Sequence, residues 1–132
     1  MTNDYNGTDD ADDFYPVGVT TVIWTVEDEN GLTDTCSFTV EVIDNTNPSI
    51  TCPSDTTIVC SIDAYPAFTT IAEFIAGGGE VSDNCDLVSI SEVTMDIGSN
   101  MYTREYTITD ANGLQNSCVQ DIEVIDTTAP ML

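Results

Sequence analysis

Two residue types carry almost all the chemistry this chain could do, aspartate and cysteine. Of its 132 residues, 24 are Asp or Glu against one base, Arg104, and with no histidine the formal net charge is −23. Carboxylates are hard oxygen donors, so clusters of them point to divalent cations, calcium foremost. The densest cluster is Met1–Asp13, MTNDYNGTDDADD, where Asp9 and Asp12 are candidate ligands together with Asp4, Asn6, Asp10 and Asp13. It lacks the ligand order and closing glutamate of an EF-hand, and a solvated, frayed end is the competing expectation. Val81–Asp86 is a second oxygen-rich cluster, in which Asp83 and Asp86 are either ligands or turn formers. Asp28, Asp44, Asp110 and Asp126 complete the candidate metal set because they recur at matched positions, as shown below.

Composition argues against most other chemistry. Cysteine and serine nucleophiles need a histidine base or a substitute lysine, and the chain has neither. Phosphoryl transfer needs cationic groups that are missing here. Paired carboxylates for glycoside hydrolysis are present by type, but every acidic cluster falls in a predicted turn or joint, so no enzyme is expected. A nucleic-acid partner requires a cationic surface, and an anionic membrane is disfavoured for the same reason. No stretch is apolar for long enough to span a bilayer, and no signal peptide is visible. If the protein is exported, this is expected to be an internal piece of a longer precursor.

The elements that position these residues are written in the chain twice. Trp24–Ile50 shifted by 82 positions falls without a gap on Tyr106–Leu132, with 12 of 27 positions identical. The matches include Asp28 with Asp110, Asn30-Gly31-Leu32 with Asn112-Gly113-Leu114, Cys36 with Cys118, and Asp44 with Asp126. Such a period marks a repeat architecture. Within each copy, apolar residues alternate: Val22, Trp24 and Val26, then Cys36, Phe38, Val40 and Val42, which is the two-residue period of a strand with one buried face. Asp28-Glu29-Asn30-Gly31 lies between the runs, its Asn-Gly supplying the positive φ angles of a tight hairpin. Each copy then ends on a short acidic joint closed by proline, Asp44–Pro48 and Asp126–Pro130, where a sheet must stop.

Residues 1–48 hold about three strands, too few for both layers of a sandwich. Upstream sequence or strand addition from another chain would complete them. Residues 49–132 read as a whole unit: short strands at Ile50–Pro53 and Thr57–Cys60, then Ser61–Gly79, the one stretch without β rhythm. There Phe68, Ile71, Ala72 and Ile75 have helical spacing, Thr69 or Thr70 can cap the N-terminus, and Gly77-Gly78-Gly79 can stop the helix. Asp96–Met101 reads as a turn, and Arg104 as a surface charge partner of nearby carboxylates.

Five cysteines in a small β-rich chain suggest an oxidising compartment. A zinc site is disfavoured without histidine or Cys-x-x-Cys spacing. Spacing alone leaves fifteen ways to form two bridges. The repeat favours Cys52 with Cys118, its own unit's hairpin cysteine, which leaves Cys60 with Cys85 and orphans Cys36, whose equivalent partner would precede residue 1.

Tyr15-Pro16-Val17-Gly18-Val19-Thr20-Thr21-Val22, Asp28-x-Asn30-Gly31, Cys36-Ser37-Phe38-Thr39-Val40 and the joint Asp44…Pro48-x-Ile50-x-Cys52-Pro53 resemble the HYR (hyalin repeat) module. The second unit, with Asp83-Asn84-Cys85 and Tyr106-Thr107-Ile108-Thr109-Asp110, is similar to related tandem repeats of Bacteroidota surface adhesins of the gliding-motility-associated type. The resemblance implies an extracellular, all-β, immunoglobulin-like sandwich, with the short helix as a departure from the usual pattern. It also implies a bridge from the cysteine before proline to the hairpin cysteine, in agreement with Cys52–Cys118. Thr56 and Thr127 follow aspartate as in the Asp-Thr O-glycosylation signal of that phylum, and Asn6-Gly7-Thr8 fits an N-glycosylation sequon.

The expected role is a non-enzymatic spacer or fibre segment of a secreted surface adhesin. Its partners would be neighbouring repeats of the same chain or other copies in a fibre, and it would not insert into membrane. A ligand- or glycan-binding module and a self-assembling subunit completed in trans are the alternatives. Calcium is the expected cofactor, because divalent ions would relieve the self-repulsion of so acidic a chain; adaptation to a saline habitat would also explain the missing lysine.

Overall fold

A strand that buries one face must place that face against a partner, and the alternating runs do so as hairpins. In the computed structural model, which describes residues 1–132, nine strands and one short α-helix form two compact units, Met1–Asp44 and Asn45–Leu132. Sequence placed the joint Asn45–Pro48 with the first unit. Hydrogen bonds tie it to the second: the Asn47 side-chain amide donates to the Gln115 carbonyl, and that of Asn116 to the Pro48 carbonyl.

The first unit is one sheet in the order β1 (Thr2–Asn3), β2 (Gly18–Glu27), β3 (Thr33–Val42). Val22 lies opposite Phe38 and Trp24 opposite Cys36, so the apolar run of each strand shares a face. In the connecting loop the Asp28 carbonyl accepts from Gly31 N–H, and Asp28 N–H donates to the Leu32 carbonyl. Of the Asn-Gly pair only Gly31 takes a positive φ, +80°, so the loop is a type I turn closed by a left-handed glycine rather than a tight two-residue hairpin.

The expectation of a frayed N-terminus is overturned. Asn3 is buried and organises the loop: its amide group donates to Asn6 Oδ1 and to the carbonyls of Thr8 and Asp10, while its Oδ1 accepts from the N–H groups of Tyr5 and Asn6. Asp4 accepts from Ile23 N–H on β2, and the rings of Tyr5 and Tyr15 stack at 4.5 Å. Polar composition misled because one asparagine satisfies many backbone groups at once.

The second unit joins a four-stranded sheet to a two-stranded one. The larger has the order β5 (Thr56–Val59), β9 (Gln115–Ile125), β8 (Met101–Asp110), β7 (Leu87–Gly98), with β5 parallel to β9; the smaller pairs β4 (Ser49–Thr51) with β6 (Glu80–Ser82). The architecture is all-β, a sandwich with one short helix. Even-numbered residues of β8 and β9 share the inner face, where Tyr106, Ile108, Ile122 and Gln120 are fully buried. The turn after Asp96 is tight, with Ser99 and Asn100 both at positive φ.

Helix α1 (Ile71–Ala76) drives Phe74 into this core, its ring 5.0 Å from that of Tyr106. Burying a side chain of that size contributes about 2–3 kcal/mol. Arg104 also points inward, which corrects its placement at the surface, while its Nε lies 4.0 Å from Glu92 Oε2, the carboxylate partner that was expected. Two residues from Tyr106, it has the same strand parity; its Nε donates to Thr94 Oγ1, its Nη2 to the Tyr65 carbonyl, and its guanidinium lies over the Tyr65 ring. The period-two pattern contained this signal, but the charge argued against it.

The helix start is a full capping box: Thr70 Oγ1 accepts from Glu73 N–H, and the Glu73 carboxylate accepts from the N–H of Thr70. Bonds from the Thr69 N–H and hydroxyl, then from Thr70, hold the Glu73 carboxyl below its ordinary pKa. A depressed folded-state pKa adds stability above the unfolded value, and this is lost as pH falls through the folded value. Glu73→Gln is therefore expected to lower the melting temperature slightly at neutral pH, with the gap closing in acid. Melting curves across pH 2 to about 7 check this.

Candidate functional site

The recurring aspartates first serve their turns. Asp28 Oδ1 accepts from the N–H groups of Asn30 and Leu32 at 2.8 and 2.9 Å, and Asp110 Oδ1 accepts from those of Asn112 and Leu114, both at 2.8 Å. This is why Asp-x-Asn-Gly-Leu is kept in both copies. The Leu32 and Asn30 bonds hold the Asp28 carboxyl below its ordinary pKa, and that side chain is exposed.

Asp110 differs by its surroundings. Leu87 pairs with Asp110, and Ala111 N–H donates to the Asp86 carbonyl at 2.9 Å, which brings the β6–β7 loop against the hairpin tip. Asp110 is only 2% exposed, and its Oδ2 is buried without a hydrogen-bond partner. In the facing loop, Asp83 Oδ2 accepts from Cys85 N–H at 3.1 Å while its Oδ1 is likewise buried without a partner. The carboxylates bring ligand oxygens within 4.8 Å of each other. Sequence listed both residues without joining them. Counting strands would have done so: β7 runs away from this end and β8 returns, so the loops flanking the pair lie together.

Four of the other candidate ligands stand at the surface. Asp9, Asp12, Asp86 and Asp126 are exposed; Asp126 Oδ1 accepts from Thr128 N–H, and Asp12 N–H donates to Asp10. Asp44 closes the first unit and is buried. Thr56 is half-buried on β5, and Thr127 lies exposed beyond β9. Asn6 Oδ1 accepts from Asn3, Thr8 N–H and the Thr8 hydroxyl, so the sequon asparagine is part of the loop's own network.

Cys52 and Cys118 are bridged, with Cα atoms 5.5 Å apart, and pin the start of the second unit to β9. The expected Cys60–Cys85 bridge is not formed. Cys60 N–H bonds to the Ile125 carbonyl at one end of β9, whereas Cys85 sits beside Asp86, which meets Ala111 at the other. An eleven-residue strand separates those ends by roughly 30 Å, and a bridge needs Cα atoms within about 7 Å. Elimination among cysteines could not sense that distance.

Strand pairing, hairpin turns and cysteine placement now allow comparison with known proteins. Residues 2–42 match the HYR domain. The match takes in β1, β2 and β3, and its part Trp24–Val42 has an internal repeat at Tyr106–Val124 in the second unit. The HYR domain is a non-catalytic, adhesion-type repeat of extracellular proteins, and a disulfide suits that setting. No helix is long and apolar enough to cross a membrane. No curated protein matches the chain.

Proposed function

We propose that the chain is a structural segment, a spacer or fibre piece, of a secreted bacterial surface adhesin, and that calcium stiffens it. The observation that carries the reading is the HYR match joined to an 82-residue internal repeat, so that one module recurs along the chain. The disulfide and the proline-ended joints support it, because both limit how far a repeat extends under load. The glycine run beside α1 is explained by aromatic packing: the ring of Phe68 lies against Gly77 and that of Phe74 against Gly79.

A second reading, assembly with another copy, is favoured by one comparison. Tyr106, Ile108 and Gln120 are fully buried, whereas their first-unit equivalents are more open: Trp24 is half-buried, Val26 is 49% exposed and Phe38 44% exposed. The equivalent of bridged Cys118, Cys36, is exposed.

Sedimentation velocity over a wide concentration range, with glycan and protein binding arrays, tests these readings. A spacer gives an invariant sedimentation coefficient and no saturable binding. Concentration-dependent size would replace it with the assembly reading, and saturable binding would replace it with a ligand-binding module.

A further inference from the structure

We propose that Asp83 and Asp110 bind a calcium ion at the hairpin end of the second unit. The proposal localises the calcium part of the reading above and rests on it in that respect, but not on the spacer role. It starts from two buried oxygens, Asp83 Oδ1 and Asp110 Oδ2, that find no hydrogen-bond donor while the opposite oxygen of each carboxylate is fixed by backbone N–H groups. Buried polar atoms are almost always satisfied, and a bare carboxylate oxygen facing another carboxylate is among the most costly exceptions.

No side chain of the protein can neutralise the pair. The only basic residue, Arg104, stands six residues back along β8, roughly 20 Å away, with its Nε and Nη2 donating to Thr94 and Tyr65. A cation from solution, or a proton shared between the two carboxylates, must do it. Geometry favours the cation. Calcium–oxygen bonds of about 2.4 Å let one ion span ligand oxygens up to about 4.8 Å apart, which is the limit observed here. Backbone N–H groups fix Asp83 Oδ2 and Asp110 Oδ1, so each carboxylate keeps its other oxygen for the ion. Asn84 and Asp86 beside the pair are exposed, so water can reach the remaining positions of a six- to eight-coordinate ion.

Asp28 supplies an internal control. It makes the same two turn bonds as Asp110, but it is exposed and pairs with no second carboxylate. The difference between the two copies is therefore the β6–β7 loop, not the hairpin motif.

The test is thermal unfolding with calcium chloride and again with excess chelator, at fixed high sodium chloride, with calorimetric titration of the same samples. Expected are a rise of several degrees in calcium and one saturable site, both retained in Asp28→Asn and lost in Asp110→Asn and Asp83→Asn. Asp110→Asn keeps the oxygen that serves the turn and places an amide opposite Asp83, so in chelator it is expected to melt no lower than the parent. Asp83→Asn leaves the hairpin turn untouched and decides the matter if Asp110→Asn fails to fold. Two results overturn the proposal: no calcium response in the parent, as a shared proton would give, or a response undiminished in both variants. Neither touches the spacer role, which the sedimentation and binding experiments decide.

Discussion

Replacing both Cys52 and Cys118 with alanine is expected to destabilise the second unit by about 4 kcal/mol, the largest effect of any change considered. The bridge closes a loop with a sequence separation of 66, and a cross-link of that length removes about 15 cal/mol/K from the unfolded chain on the loop-entropy account. For a unit of this size the loss corresponds to a fall in melting temperature of roughly 15–30 °C. Thermal unfolding of the double variant, beside the parent with and without reductant, measures it. A fall of only a few degrees would mean that the core holds the unit without its staple. Cys60→Ala and Cys85→Ala serve as controls, since neither residue belongs to the bridge, and no comparable loss is expected from either.

Gly79→Ala is expected to cost about 2–3 kcal/mol, or roughly 10–20 °C in melting temperature. The reason is space rather than backbone freedom. A Cβ at Gly79 would come within 3 Å of three atoms of the Phe74 ring, which is fully buried against Tyr106 and cannot swing away. Gly78 separates the two causes: it has φ +97° and open space, so Gly78→Ala is expected to cost only about 1 kcal/mol of strain. The double variant Gly79→Ala with Phe74→Leu decides whether the clash is with that ring. Direct contact predicts a favourable coupling of about 1 kcal/mol or more between the two changes, and additivity would show that the glycine acts through something else.

Much of this protein was legible from residue order because its elements are local. Alternation placed β2, β3, β8 and β9, the helical spacing of Phe68, Ile71, Ala72 and Ile75 with a threonine cap and a glycine stop placed α1, and the repeat showed that two hairpins share one design. The Cys52–Cys118 bridge was legible as well, because its partners occupy the start and the final hairpin of one repeat. In these cases the deciding interaction lies within a few residues or is announced by periodicity.

What the sequence could not determine depends on which segments meet across the sheet. Asp28 and Asp110 sit in the same five-residue motif and make the same turn bonds, yet one is exposed and the other is buried facing Asp83. Only the packing of the β6–β7 loop on the second hairpin decides that. Cys60 and Cys85 looked like partners by elimination, but a strand's length keeps them apart. Arg104 carried a surface charge by type and an inward position by parity, and parity won because Tyr65 and Thr94 stood ready to receive its donors. Turns and strands are chosen by neighbours in sequence; burial, bridge partners and the grouping of carboxylates are chosen by neighbours in space.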